Sequence, residues 1–292
     1  MNPPSFEATT NRLVWVTGAG GLIGSYLVQL APRFAPQGRV RALTRDQLDL
    51  TDAAAVRRAF AADRPGLVIH CAALSRSPDC AADPALARQL NVEVTHLLAE
   101  LCADVPLVFF STDLVFDGQR GHYAETEAPN PLSVYAKTKA AAEWFVLANP
   151  RHTVIRTSLN GGISPTRDRG FNEQMRRAWE AGQTLVLFTD EFRSPIHAAL
   201  TARAVWELAR QGVTGIWHLA GAERLSRFQI GELLAARWPH LKLTLRAGSL
   251  RDYIGGPRPP DTSLNCARAQ AHLSFKLAGL GEWLRANPAA PF

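Results

Sequence analysis

One short segment limits the folds open to this chain more than any other. Residues 17–24 read TGAGGLIG, which places glycines at 18, 20, 21 and 24. An apolar, β-prone run, Leu13 to Thr17, precedes them, and an amphipathic stretch, Gly21 to Ala31, follows. A strand that turns directly into a helix over a ligand needs three things from glycine. One residue makes the tight turn, one lets the ligand reach the backbone, and one lets helix and strand approach closely. Gly18, Gly21 and Gly24 have that spacing. The helix start then offers free N–H groups and partial positive charge, which suits a pyrophosphate. The strand before and the helix after separate this turn from an ordinary glycine-rich loop, and it reads as a dinucleotide site.

The first half of the chain repeats the strand–helix alternation. Strands are expected at Arg39 to Leu43, Leu67 to Cys71, Pro106 to Ser111 and His152 to Arg156. Helices are expected at Asp52 to Ala62, Asp83 to Ala103 and Leu132 to Ala148. Units of this length imply parallel strands covered on both faces, so the expected fold is α/β, a doubly wound parallel sheet of Rossmann type. The second half is less regular, with helices at Phe171 to Ala181 and His197 to Arg210 and strands near Leu185 and at Gly215 to Leu219. The chain is therefore read as a dinucleotide-binding domain, 1–157, and a smaller mixed substrate lobe, 158–292, partly interleaved with it. Residues 160–170, NGGISPTRDRG, are rich in glycine and charge and predict an exposed, mobile lid.

Composition excludes several classes. With 292 residues, 47% apolar and 20% charged, the chain can bury a sizeable core without disulfide support. Cys71, Cys80, Cys102 and Cys266 lack metal spacing, and no histidine pair brackets a glutamate at i, i+4, so no metal site is expected. Apolar runs are far too short to span a bilayer, and the polar 1–11 segment has no cationic start leading into an apolar stretch. The expected location is the cytoplasm. Net charge is +6, but the cations are scattered, which suits small anionic ligands better than nucleic acid.

Of 32 cations only four are lysines, at 137, 139, 242 and 276. Lys139 follows Tyr135 by four residues on an expected helix, so the two share a face. A phenol with a free pKa near ~10 exchanges protons poorly at neutral pH, and a neighbouring ammonium favours the phenolate. The pair reads as a proton donor and its activator, with Lys137 turned to solvent. Thr112 follows Ser111 at the carboxyl end of a strand, where a hydroxyl can orient a carbonyl. After the second strand, Arg45 favours a 2′-phosphate, with Arg41 adding charge behind it, while Asp46 keeps a free ribose 2′-hydroxyl open. NADPH is the expected cofactor and NADH the second choice. Asp49 and Leu50 either flank the adenine or form a turn of no consequence.

Together these segments resemble the extended short-chain dehydrogenase/reductase superfamily, and within it the dTDP-4-dehydrorhamnose reductase family. The resemblance runs from about Leu13 to Leu284. Its segments are TGAGGLIG (17–24), LTRDQLDLTD (43–52), HCAA (70–73), STDLVFDG (111–118), PLSVYAKTKAAAE (131–143), VIRTS (154–158), FRSPIHA (192–198) and GIWHLAG (215–221). It implies an NAD(P)H-dependent oxidoreductase that reduces the C4 keto group of a nucleotide-linked deoxy-sugar. It makes Tyr135 the proton donor, Lys139 its activator and ribose ligand, Thr112 the carbonyl-orienting hydroxyl, and Asn91 a helix residue that supports the lysine. It puts Gly18, Gly20, Gly21, Leu22, Ile23, Gly24, Cys71, Ala72 and Ala73 around the cofactor. Asp113, Asn160, Arg193 and Arg258 fall around the substrate, the two arginines either binding a diphosphate or standing solvated in loops.

The chain departs from the family pattern at Leu114, where tyrosine is usual, through 72–84, and at Asn265, where aspartate is common. Those positions bear on which sugar is bound. The alternatives are an NAD-dependent sugar-nucleotide epimerase and a non-catalytic cofactor-binding subunit on the same fold. Leu114 cannot serve as the base that a dehydratase carries there. The expected partner is a nucleotide-sugar or other small keto compound, with a homodimer left open and neither nucleic acid nor membrane expected.

Overall fold

Strand β1 (Val14–Thr17) is buried along its whole length because helices cover both faces of the sheet around it. It comes from a computed structural model that describes residues 13–34, 39–241 and 244–292, so Lys242 and the polar 1–11 segment lie outside the described residues. Strands β2 (Val40–Leu43), β3 (Leu67–His70), β4 (Leu107–Thr112) and β5 (Thr153–Thr157) continue the sheet. A sixth strand, β6 (Gly215–Leu219), arrives from the second half of the chain. All pairings are parallel, in the order β6-β5-β4-β3-β1-β2. The chain therefore runs outward from β1 in one direction and then in the other, opening a crevice at the carboxyl ends of β1 and β3.

Two apolar layers hold the sheet. On one face, α1 (Leu22–Phe34) lies against α6 (Ala198–Arg210), and Leu27, Ile69, Ile155 and Trp206 pack in one cluster. The Trp206 indole N–H donates to Leu27 O at 3.0 Å, so the second half of the chain is stitched onto the first helix. On the other face, Trp15, Val68, Phe109 and Val146 pack beneath α2 (Ala53–Asp63), α3 (Val94–Leu101) and α4 (Val134–Leu147).

The single helix expected over 83–103 is broken. Short helices Ser77–Ala82 and Pro84–Arg88 lead into a π turn, Gln89–Glu93, and only then into α3. Pro84 cannot continue a helix but suits its first position, and Asp83 caps the new start by accepting from Leu86 N at 2.9 Å.

The remaining residues form a smaller lobe of paired short strands. Asn160–Gly161 pairs with Ile196–His197, Leu185–Phe188 with Leu245–Gly248, and Phe192–Arg193 with Leu225–Ser226. With α5 (Phe171–Glu180) and α7 (Arg227–Arg237), they enclose a separate cluster that includes Met175, Trp179, Leu187, Ile230 and Trp238. The 160–170 segment is exposed only at its tip, Pro165 to Arg167, and at Arg169; the rest is anchored to the fold. Glu173, in the first turn of α5, accepts from Ser164 N, Ser164 Oγ, Arg169 N and Gly170 N at 2.7–2.9 Å. Asn172 and Tyr26 add bonds to Gly162 and Ile163, and Gly161, Gly162 and Ser164 are buried.

Candidate active site

Gly18 has φ +67°, a conformation that glycine adopts without penalty. A Cβ there would lie 2.6 Å from Ala72 N and 2.8 Å from Cys71 C, so the turn rests directly on the end of β3. A Cβ on Gly24 would collide with Gly18 O, which is why helix and strand can approach only with glycine there. Above Gly20 the nearest neighbour is Thr44 Cγ2 at 3.5 Å, so its backbone stays open to a ligand. The first turn of α1 carries no acidic side chain. This open, positively polarised cradle fits the phosphates of a dinucleotide.

At the end of β2, Arg45 is exposed, its Nε 3.9 Å from Asp49. Arg41, expected behind it, is turned away. Its guanidinium pairs with Asp63 at the end of α2 and lies over Trp15. Asp49 accepts from Thr51 N and Oγ1 at 2.9 and 2.7 Å, and these bonds hold its carboxyl below the usual range, with Arg45 a lesser cause. Leu50 packs against the cluster of Val56 and Leu98. Asp49 and Leu50 are thus engaged in the turn that leads into α2.

The acid–base group is set by α4. Ser133 caps that helix by accepting from Ala136 N at 3.2 Å, fixing the turn that carries Tyr135 and Lys139. Thr138, between them, donates to Tyr135 O at 2.7 Å. Asn91, fully buried in the π turn, donates to Thr138 Oγ1 and Leu74 O at 3.0 Å each and accepts from Leu74 N at 2.8 Å. Its side chain therefore ties α4 to the segment after β3; it makes no direct bond to Lys139.

Tyr135 is half-buried, and its phenol is pushed above its ordinary pKa, first by burial and then by the charge of Asp113. The nearby Thr112 hydroxyl pulls the other way. Lys139 is 3% exposed, its ammonium 4.0 Å from the centre of the Phe109 ring, and burial lowers its pKa to about 7. The opposing influences on Lys139 are Glu143, then Cys71 and Cys80. Lys137 is exposed.

The substrate side joins distant segments. Asp113, buried just past β4, accepts from Ser158 Oγ at 2.7 Å, Thr262 Oγ1 at 3.0 Å and Thr112 Oγ1 at 3.2 Å. Glu191, 1% exposed, pairs with Arg193 at 3.0 Å and Arg258 at 2.7 Å. Arg193 also donates to Thr262, so its guanidinium is buried and shared between Glu191 and Thr262 instead of standing solvated in a loop. Asn160 is likewise engaged, its amide shared among Thr157, Ser158 and Thr201. Arg258 lies over Phe188 and Tyr253 and keeps an exposed edge. Ser158, Glu191 and Thr262 were not singled out in the sequence, where no spacing links them. Among the described residues no group of three or more His, Cys, Asp or Glu side chains is placed to hold a metal, and no helix is long and apolar enough to cross a membrane.

A family model described as the RmlD substrate-binding domain matches residues 12–286. The chain belongs to that family. The dTDP-4-dehydrorhamnose reductase of Mycobacterium tuberculosis is 38% identical over 232 residues, covering 75% of this chain and 73% of that protein. Methionine adenosyltransferase 2 subunit beta of Bos taurus is 28% identical over 285 residues, 89% of this chain and 82% of that protein. Among solved structures, dTDP-4-dehydrorhamnose reductase from Bacillus anthracis in complex with NADP superposes with a TM-score of 0.85. That match covers 94% of this chain and 98% of the other at 23% identity, so it speaks for the shared fold.

Proposed function

We propose that the protein is an oxidoreductase that reduces the C4 keto group of a nucleotide-linked deoxy-sugar, using NADPH in preference to NADH. The observation that carries this reading is the meeting of Thr112, Tyr135 and Lys139 beside the glycine turn. Gly18 lies on Cys71 and Ala72 at the end of β3, β3 pairs with β4, and Lys139, one helical turn from Tyr135, lies over Phe109 of the same strand β4 that ends in Thr112. The 38% identity to a dTDP-4-dehydrorhamnose reductase supports the substrate class, and exposed Arg45 supports the 2′-phosphate.

The glycine cradle, with Lys139 at the ribose, would hold a dinucleotide whose reduced nicotinamide would supply the hydride for the keto carbon. The chain's residues handle the rest. Tyr135, kept protonated by its surroundings, donates to the forming alkoxide. Thr112, at the Tyr135 oxygen, holds the carbonyl in reach of that proton. Lys139 binds ribose hydroxyls and offsets the charge of the phenolate. The exposed edge of Arg258 meets the substrate's diphosphate. Four unpaired thiols fit a reducing, cytoplasmic setting. The reading extends to a homodimer, supported by Trp144, 71% exposed on α4, and checked by the protein's mass in solution.

The test is oxidation of NADPH and NADH by purified protein with freshly generated dTDP-4-keto-6-deoxy-sugar, followed by loss of absorbance. Sugar-dependent oxidation, faster with NADPH, is expected. Binding of both cofactors with consumption of neither would overturn the reading. It would favour the second reading, a non-catalytic cofactor-binding subunit; the likeness to methionine adenosyltransferase 2 subunit beta supports a subunit role.

A further inference from the structure

Tyr135, Lys139 and Glu143 follow one another at four-residue intervals on α4, one row along one face of the helix. Lys139 and Glu143 are each 3% exposed. Glu143 has no part in the proton transfer or the carbonyl contact, yet the sheet grips it firmly. Arg156 donates from Nη2 to Oε2 at 2.7 Å and from Nε to Oε1 at 3.0 Å, and Ser111 donates its hydroxyl to Oε1. Ser111 and Arg156 are direct partners across β4 and β5, so the strand register delivers both donors to one spot. Phe109, whose ring carries the Lys139 ammonium, lies two residues before Ser111 on the same face of β4.

The other titratable groups facing Lys139 are uncharged at neutral pH. His70, at the end of β3, is lowered to about 3, by burial first and then by Lys139. Burial raises the thiols of Cys71 and Cys80, the latter in helix Ser77–Ala82, above their usual range. Glu143 is thus the charged neighbour, and it is the largest influence opposing the effect of burial on Lys139.

We propose that Glu143, locked by Arg156 and Ser111, is a positioning residue whose carboxylate holds Lys139 in its charged form next to Tyr135. Its purpose rests on the reductase reading, but its test does not. The row gives α4 a division of labour: proton donor at the crevice, cation behind it, and fixed counter-charge behind that. Arg156 and Ser111 hold the carboxylate in place, so that Lys139 is not drawn into a closed ion pair and its ammonium remains free for a ligand.

Only four lysines in the chain make a direct readout practical. Protein carrying 13C at lysine Cε is titrated by NMR, with the Lys139 signal assigned by its loss in Lys139→Met. Lys139 is expected to titrate well below the other lysines. In Glu143→Gln its midpoint falls further, by about one pH unit, a roughly tenfold loss of proton affinity. Because that variant leaves Arg156 buried without its carboxylate, the paired variant Glu143→Gln with Arg156→Met is titrated as well; a downward shift is again expected, smaller than in the single variant because a cation leaves together with the carboxylate. A variant that melts cooperatively but whose Lys139 midpoint stays in place, or rises, overturns the proposal. The titration needs no substrate. Failure of the reductase reading would instead show as wild-type protein that binds NADPH without oxidising it.

Discussion

The two sides of the crevice are built in opposite ways. On the cofactor side, each working group lies within a single turn or helix: Gly18 to Gly24 for the cradle, Tyr135 and Lys139 for the acid and its cation. On the substrate side, Thr262 reaches Asp113 from 149 residues away, and Glu191 gathers Arg193 and Arg258. The first arrangement depends on local backbone geometry, and the second on contacts between segments far apart in the chain. Damage to the first should therefore strike chemistry with the fold intact. Damage to the second should strike stability first.

Tyr135→Phe is the sharpest way to break the comparison on the cofactor side. Turnover should fall by more than about a hundredfold, with NADPH affinity, measured by fluorescence titration, within a few-fold of wild type. Retained turnover would remove Tyr135 as the acid. Glu191→Gln tests the other side. It strips the carboxylate from buried Arg193 and half-buried Arg258, and unfolding free energy should drop by about 3 kcal/mol, chiefly through Arg193. A denaturant titration that shows no loss would mean that the arginines find other partners.

Acid should weaken both regions together. Burial lowers His70, His197 and His218 to about 3, 4 and 3, against about 6.5 in an unfolded chain. Between those values the unfolded chain takes up protons that the folded one refuses. The stability these histidines allow is fully present above pH ~6.5 and falls as pH drops towards their folded values, by about 1.4 kcal/mol per histidine per pH unit. Thermal melts from pH 7 to 5 should show Tm falling with pH; a flat profile would mean that the histidines are not held neutral. The smallest effect is expected from Arg45→Ala. It should raise KM for NADPH roughly tenfold, about 1.4 kcal/mol of lost phosphate contact, and leave KM for NADH nearly unchanged. Equal changes in both would place Arg45 away from the 2′-phosphate.

The same division explains what the sequence made legible. The six strands of the sheet, the glycine turn and the Tyr135–Lys139 spacing are encoded over fewer than eight residues each, where periodicity and helical geometry act directly. The partners of Arg193 and Asn160, Glu191 with Thr262 and Thr201 with Thr157, are not legible in the sequence because they meet only in the tertiary structure. The same holds for Arg41, since Asp63 meets it only once α2 has packed. The 160–170 segment held a usable signal that composition masked. Glu173, three residues after Gly170, is placed to bond back to the start of its own helix, and it anchors the loop as well. Pro84 within 83–103 was a second such signal, marking the break that precedes the π turn and buried Asn91.

The most direct test of the account follows the hydride itself. NADPH carrying deuterium at nicotinamide C4 is incubated with dTDP-4-keto-6-deoxy-sugar and either wild-type protein or Tyr135→Phe, and the sugar product is weighed by mass spectrometry. The account predicts one deuterium at sugar C4 with wild type and almost none with the variant in the same time. Cofactor that binds to wild type but transfers no deuterium would contradict it and leave the fold as a binding scaffold.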